Sequence, residues 1–253
     1  MKISIITASL NSEKTIANAI ESINSQTYSD IEHIIIDGKS SDRTLNIVEN
    51  MKVVDTKIIS DKDDGLYFAI NKGIKLSSGN IIFLLHSDDI LFDKNVVNDA
   101  VNKFIETDVD IVYGNILFVD KDDINKIKRV WIAGNFSRKK LIFGWHPPHT
   151  SLFVRREIFN QFGLYRTDLH IAADYDFMVR VMLNKKVRVY YLNRFVVKMR
   201  EGGKSTSSIY SHLYSNYECQ KAWVQYSGFI NPLILFKPLI KIPQLFKKIS
   251  TTS

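Results

Sequence analysis

Four short, mainly apolar runs at 3–8, 31–36, 57–60 and 81–85 each break off into a polar loop, and they constrain the fold more than any other feature. A continuous apolar run of this length is what a strand covered on both faces of a parallel sheet requires. Helical stripes separate the runs. Small and apolar residues recur at Ile16, Ala19, Ile20 and Ile23 in a helix reckoned from Glu13, at Thr44, Leu45, Ile47 and Val48, and at Leu66, Ala69, Ile70, Gly73 and Ile74. Asn11 or Ser12 is expected to cap the first helix, because a short side-chain oxygen can accept an orphan backbone N–H there. Strand alternating with helix predicts an α/β fold: a Rossmann-like, mostly parallel central sheet flanked by helices, with right-handed crossovers.

The second half has a different texture. Residues 110–119 and 124–132 read as paired strands around Lys121, Asp122 and Asp123, and 150–154 as a short strand. A helix is expected over 174–183, on Phe177, Met178, Val181 and Met182, and separate strands over 187–191 and 195–199. With no linker or repeat before about residue 205, residues 1–205 read as one domain and 206–253 as a helical, basic-apolar extension. The formal charge of +7 is concentrated there: no acidic residue follows Glu218, while Lys221, Lys237, Lys241, Lys247 and Lys248 do. Cys219 is the single cysteine, which excludes an internal disulfide and fits a reducing compartment. The opening residues read as a strand rather than a signal peptide, and no apolar stretch is long enough for a membrane span, so a cytoplasmic location is expected.

Ligands in open α/β sheets sit beyond the carboxyl ends of the strands. Three polar loops should converge there: 7–11, 37–42 and 86–89, the last reading His86, Ser87, Asp88, Asp89. Adjacent carboxylates at a strand end suit a hard divalent cation, which points to a phosphate-bearing ligand. An acidic loop preceding a helix near Lys94 is the plain alternative. No G-x-G-x-x-G follows the first strand and no G-x-x-x-x-G-K-[ST] occurs, which disfavours dinucleotide and P-loop binding.

The motifs SIITASLN at 4–11, IIIDGKSSDRT at 34–44, DGLYFAINKG at 64–73, HSDD at 86–89 and AADYDFMVR at 172–180 resemble, in order and spacing, the inverting nucleotide-sugar glycosyltransferases of family 2. The likeness spans about residues 2–205 and is nearest to the bacterial enzymes that build O-antigen, capsule and related surface polysaccharides. It implies the GT-A fold and the following roles. Thr7 and Asp37, with Asn11 in the same loop set, match positions that hold the nucleotide, and Asp63 matches an acidic position beside it. Asp88 matches a ribose or sugar contact. Asp89 matches the metal-binding carboxylate of the D-x-D motif, with Ser87 in place of its first Asp and Mn²⁺ or Mg²⁺ as the cofactor. Asp174 matches the catalytic base, although by position alone it reads as a helix N-cap, and Asp176 is its nearby rival. Arg200, ahead of Gly202, Gly203, Lys204 and Ser205, resembles a late loop that closes over the diphosphate; a hairpin turn with solvated charges reads equally well. Phe68 and His86 depart from the residues that close relatives often carry, Asp and Asn.

The expected reaction is a metal-dependent, inverting transfer from a nucleoside-diphosphate sugar, UDP by family preference, to a lipid-linked saccharide acceptor. A sugar nucleotidyltransferase would need a Gly-rich basic loop after the first strand, where Ser9, Leu10 and Asn11 stand. A non-catalytic nucleotide-sugar-binding protein would not need both Asp89 and Asp174. His146 and His149 flank two prolines without a third ligand at zinc spacing, and read as loop packing or as acceptor or diphosphate contacts. After Gly228, apolar residues alternate with lysines and are broken by Pro232, Pro238 and Pro243. Short amphipathic segments of this kind suit peripheral contact with the anionic inner face of a cytoplasmic membrane, or a homodimer contact. No aromatic-basic module accompanies the lysines, so nucleic acid is not an expected partner.

Overall fold

A computed structural model describes residues 1–53, 55–202 and 209–233, with side chains in the last segment from Tyr214 onward. The alternation expected from the sequence is present: β1 (Ile3–Ser9), α1 (Ile16–Asn24), β2 (Ile31–Asp37), α2 (Thr44–Met51), β3 (Asp55–Ser60), α3 (Leu66–Leu76) and β4 (Ile81–Leu84). These strands lie parallel in the order β3-β2-β1-β4. Beyond them come β5 (Ile90–Leu91), α4 (Val96–Thr107), β6 (Ile111–Val119), β7 (Ile127–Trp131), α5 (Arg138–Ile142), β8 (Phe153–Arg155), α6 (Arg156–Phe162), α7 (Ala173–Met182), β9 (Val189–Arg200) and α8 (Ile209–Ser227). They extend the same sheet as β4-β8-β6-β9-β5, with β7 paired to β6. Strand β8 is antiparallel to both its neighbours, so β4 and β6 run the same way.

The middle of the sheet is covered on both sides, which is why β1, β4 and β6 are written as mainly apolar runs. Ile6, Ile34, Ile36 and Ile82 face a core completed by α3, α6, α7 and α8. Ile3, Ile5, Ile81 and Phe83 face the opposite core, made with α1 and α4. Each fully buried apolar side chain is worth roughly 1.5–3 kcal/mol relative to exposure. Gly73 lets α3 lie directly on β1, since a Cβ there would come within 2.5 Å of Ile6 Cγ2. At the sheet edge away from the loops, buried Glu32 accepts hydrogen bonds from Ser4, Ser78 and Gly79 and faces Lys2 and Lys57, a polar knot that serves the fold.

Several expectations are corrected. The first helix begins at Ile16: Asn11 takes a left-handed backbone (φ 50°), and Thr15 stands at the N-cap with no side-chain bond to the helix's N–H groups. The Asn11 side chain is used across loops instead, accepting from the Ser41 backbone N–H at 2.9 Å. The separate strands over 187–191 and 195–199 are one strand, β9. Its pairing with β6 shifts register around Gly114, where a Cβ would meet Val196 Cγ2 at 2.5 Å and the Arg194 carbonyl at 2.8 Å. A glycine therefore lets the chain bend and continue where a pause was read. Helix α8 is amphipathic only weakly by sequence, yet Glu218, Cys219, Ala222 and Trp223 are buried, the last three packing in the core that contains α7. The expectations for Gly203, Lys204 and Ser205, and for the tail from 234 on, fall outside the described residues.

Candidate functional site

The loops after β1, β2 and β4 meet at one edge of the sheet. Ser12 Oγ lies 2.8 Å from Ser87 Oγ, the Ser12 N–H donates to Thr44 Oγ1 at 2.7 Å, and the Glu13 N–H donates to Asp42 Oδ2 at 3.1 Å. Together they border an open cleft of about 450 Å³ lined by Leu10, Asn11, Ser12, Lys14, Asp42 and Asp88 among others.

The residues expected at the nucleotide divide into two groups. Asn11, Asp63 and Asp88 are at the loop edge. Asp63 stands among Asp37, Asp61 and Asp64, and one of its carboxylate oxygens is buried without a hydrogen bond. Burial and the neighbouring carboxylates push its carboxyl above the usual range, against the pull of Lys72. An oxygen in that state suits a donor from a base N–H or a ribose hydroxyl. Thr7 and Asp37 are committed internally. The Thr7 hydroxyl is fully buried and meets His33 Nε2 at 3.0 Å, on the α1 side of the sheet rather than in the cleft. Burial lowers His33 to about 3, so the pair is neutral. Asp37 accepts from Ser9 Oγ, from both the N–H and the hydroxyl of Ser40, and from Ser60 Oγ, which uses all four of its lone-pair directions to tie three loops together.

At the tip of β4, Asp89 is 1% exposed and its Oδ2 has no hydrogen-bond partner. Burial first, then Asp88, raise its carboxyl well above the usual range, and Arg200 only partly offsets them. A buried carboxylate oxygen with nothing to accept is the environment a hard cation would satisfy. Among the described residues no three His, Cys, Asp or Glu side chains converge as a ready-made metal cage. A cation shared with substrate phosphates needs only one or two carboxylates, so the donor set present fits that mode.

Arg200, at the end of β9, is 7% exposed. Its guanidinium donates to the Asp88 carbonyl at 2.7 Å, to Asn18 Oδ1 at 2.8 Å and to the Lys121 carbonyl at 3.2 Å. In this geometry it fixes the loop that carries Asp88 and Asp89.

Asp174 lies in the first turn of α7, next to the helix N-terminus. Its Oδ1 accepts the Tyr175 N–H at 2.8 Å, and its Oδ2 lies 3.1 Å from His149 Nδ1. The His149 ring is 6.1 Å from the ring of His86. Burial and then His149 depress His86, while Asp88 and Asp174 both oppose them. The ring pair and the His149–Asp174 contact bring the β4 loop and the start of α7 close together. The rival, Asp176, points away, fully buried between Arg166 (3.6 Å) and Arg180 (3.7 Å). His146 is packed among rings, 5.8 Å from Trp131 and 5.7 Å from Tyr175.

A sequence model described as glycosyl transferase family 2 matches residues 4–188. The chain belongs to that family. This family 2 glycosyltransferase is 30% identical over 211 residues to "PGL/p-HBAD biosynthesis glycosyltransferase Rv2957" of Mycobacterium tuberculosis, covering 81% of this chain and 79% of the relative. Its fold is similar to that of S. aureus TarS 1-349 in complex with UDP-GlcNAc, at TM-score 0.67 and 19% identity over 97% of this chain and 78% of that one. It is also similar to mannosyltransferase PcManGT from Pyrobaculum calidifontis in complex with GDP-Man and Mn²⁺, at TM-score 0.64 and 15% identity over 96% and 69% of the two chains. The glycosyltransferase has the GT-A fold that the motifs imply.

Proposed function

We propose that this glycosyltransferase moves a sugar from a nucleoside-diphosphate donor, UDP-linked by preference, to a saccharide acceptor with inversion, and that the acceptor is lipid-linked in an O-antigen-like surface polysaccharide pathway. The observation that carries the reading is that Asp174, 3.1 Å from His149, is linked through the His149–His86 ring pair to the loop in which the Asp89 N–H donates to the His86 carbonyl and the buried Asp89 Oδ2 is unsatisfied. The neighbours' ligands, UDP-GlcNAc in TarS and GDP-Man with Mn²⁺ in PcManGT, support a nucleotide-sugar and a divalent cation in this cleft.

Asn11, Asp63 and Asp88 would bind the nucleoside and sugar at the loop edge, and Asp37 would hold those loops in register. Asp89 would hold Mn²⁺ or Mg²⁺, which when bound supplies charge neutralisation for the diphosphate leaving group. Arg200 acts through the backbone of Asp88 rather than on the diphosphate. Asp174 takes the proton from the acceptor hydroxyl as that oxygen attacks the anomeric carbon, and the C–O bond to the diphosphate breaks on the opposite side. A single displacement inverts the centre without a covalent intermediate. His149 flanks Asp174 Oδ2 and keeps that carboxylate aimed into the cleft.

The test is a screen of UDP-, GDP- and dTDP-sugars for nucleoside diphosphate release, with Mn²⁺, with Mg²⁺ and with chelator. Metal-dependent release from one donor class, raised by a saccharide acceptor, is the expected result. Equal release in chelator would remove the metal from the mechanism, and no release from any donor would remove the donor class.

Peripheral contact with an anionic leaflet belongs to the same proposal. Ile142, Phe143, Phe229 and Ile230 are exposed on neighbouring turns, joined where Asn231 Nδ2 donates to the Ile142 carbonyl at 2.7 Å. Lys139 is exposed beside them, and the lysine-rich sequence after Leu233 continues from this point. No described helix is long and apolar enough to cross a membrane. The full chain should float with phosphatidylglycerol-containing vesicles, less at high salt, and Phe143→Asp/Ile230→Asp should reduce that binding. Unchanged flotation in the double variant, or a stable dimer that buries this patch, would replace the membrane with a second subunit.

A further inference from the structure

The loop that delivers Asp174 is held from behind by a residue outside the matched family region. Glu218 of α8 is 2% exposed. Its Oε1 accepts the His170 N–H at 2.8 Å, and its Oε2 accepts the Ile171 and Ala172 N–H groups, each at 2.9 Å. Three successive backbone donors thus converge on one carboxylate, the arrangement by which a backbone nest binds an anion. Here the anion is supplied by the chain itself, and charge-assisted bonds to backbone N–H groups are about twice as strong as neutral ones. From the opposite side, the Tyr67 hydroxyl of α3 donates to the Ile171 carbonyl at 3.0 Å. The donors of residues 170–172 and a carbonyl of the same stretch are therefore fixed by two helices, and the chain enters α7 directly afterwards, with Asp174 as its second residue.

Among the described residues, buried Glu218 makes all of its carboxylate hydrogen bonds to this loop. Its neighbours Cys219, Ala222 and Trp223 pack with Ala173, Tyr175 and Phe177 in the core, and an apolar residue at 218 would serve that packing as well. The charge serves the loop.

We propose that Glu218 is a positioning residue for Asp174, so that α8 belongs to the catalytic unit although it lies beyond the family match. This rests on the assignment of Asp174 as the base. A loop released from Glu218 keeps the donor cleft, which the β1, β2 and β4 loops build, but lets the base drift from the acceptor hydroxyl. Displacement of about 1 Å at a reacting group can cost about 100-fold in rate.

The experiment compares Glu218→Gln with Gln225→Ala, a change on the same helix that removes the contact with Arg166 and leaves the bonds to residues 170–172 in place. Turnover, donor KM, affinity for UDP with Mn²⁺, and thermal unfolding are measured on the full chain. An amide can accept on one arm only and turns an N–H donor toward the loop on the other, so Glu218→Gln should lose about 10- to 100-fold in kcat. Donor KM and UDP affinity should stay within about twofold, and Gln225→Ala should keep normal kcat. Normal kcat in Glu218→Gln overturns the proposal, as does an equal loss in both variants that follows their unfolding temperatures. If Glu218→Gln does not fold, Tyr67→Phe releases the carbonyl side of the same loop and must lower kcat at constant UDP affinity, or the proposal falls. Asp174→Asn is run alongside: normal turnover there sinks the base assignment, whereas lost turnover there with normal Glu218→Gln sinks only the role of Glu218.

Discussion

Asp174→Asn should lower kcat by about 10²- to 10⁴-fold, the usual worth of a positioned general base, while donor affinity stays unchanged. The amide keeps the size of the carboxylate and can still accept the Tyr175 N–H that the Oδ1 atom now accepts. What it loses is the capacity to take a proton from the acceptor hydroxyl. The loss therefore falls on kcat and leaves UDP binding, built on the other side of the cleft, intact. Single-turnover transfer together with calorimetric titration of UDP and Mn²⁺ separates the two. Near-normal transfer would hand the base role to another group, with His149, 3.1 Å away, first in line.

The second large effect has two signs. Asp89→Asn should weaken UDP binding in the presence of Mn²⁺ by more than about 100-fold, since even outer-shell changes cost metal sites 10- to 100-fold. UDP binding in chelator should not change. In the chelated protein the same substitution should raise the unfolding temperature at neutral pH. Asp89 is buried, and its carboxyl is held well above the usual range by burial and by Asp88. A raised folded-state value means that this group favours the folded state most when protonated. That contribution is complete below the ordinary aspartate range, about pH 4, and is lost as pH rises through the raised value. At neutral pH the ionised carboxylate is thus a burden that a neutral amide avoids, and the stability gain of Asp89→Asn should shrink toward zero in acid. A variant that loses stability at pH 7 would show that the carboxylate is satisfied without a cation.

Strands β1, β2 and β4 were legible because burial on both faces leaves little room for polar alternation, and β2, with all seven residues buried, is the plainest case; β3 is an edge strand with no buried residue. The loop carboxylates were legible for a related reason: acidic residues at strand ends have no packing to do. Thr7, whose hydroxyl meets His33, also carried a signal. It shares strand parity with Ile3 and Ile5, and so faces the α1 side of the sheet, away from the loop cleft. Other features have no local signature. Arg200 looks like a charge free for a ligand until its three acceptors at Asn18, Asp88 and Lys121 are known. The contact of His149 with Asp174, and the grip of Glu218 on residues 170–172, join segments that sequence spacing cannot relate. The extension reads as helical from the sequence, but the burial of α8 does not, because much of its buried face is small or polar, as at Cys219, Ala222 and Glu218.

The path of the chain between β4 and β5 bears on when the loop between them takes shape. Strand β4 lies inside the sheet, whereas β5 pairs with β9 at the far edge, with Ile90 opposite Lys198 and Leu91 opposite Val197. Asp88 and Asp89 sit on the bridge between these two anchors, and the second anchor is made more than a hundred positions later. The bridge that carries Asp88 and Asp89 therefore gains its second anchor only once the ninth strand has docked, so the shape of this loop depends on chain made long after it.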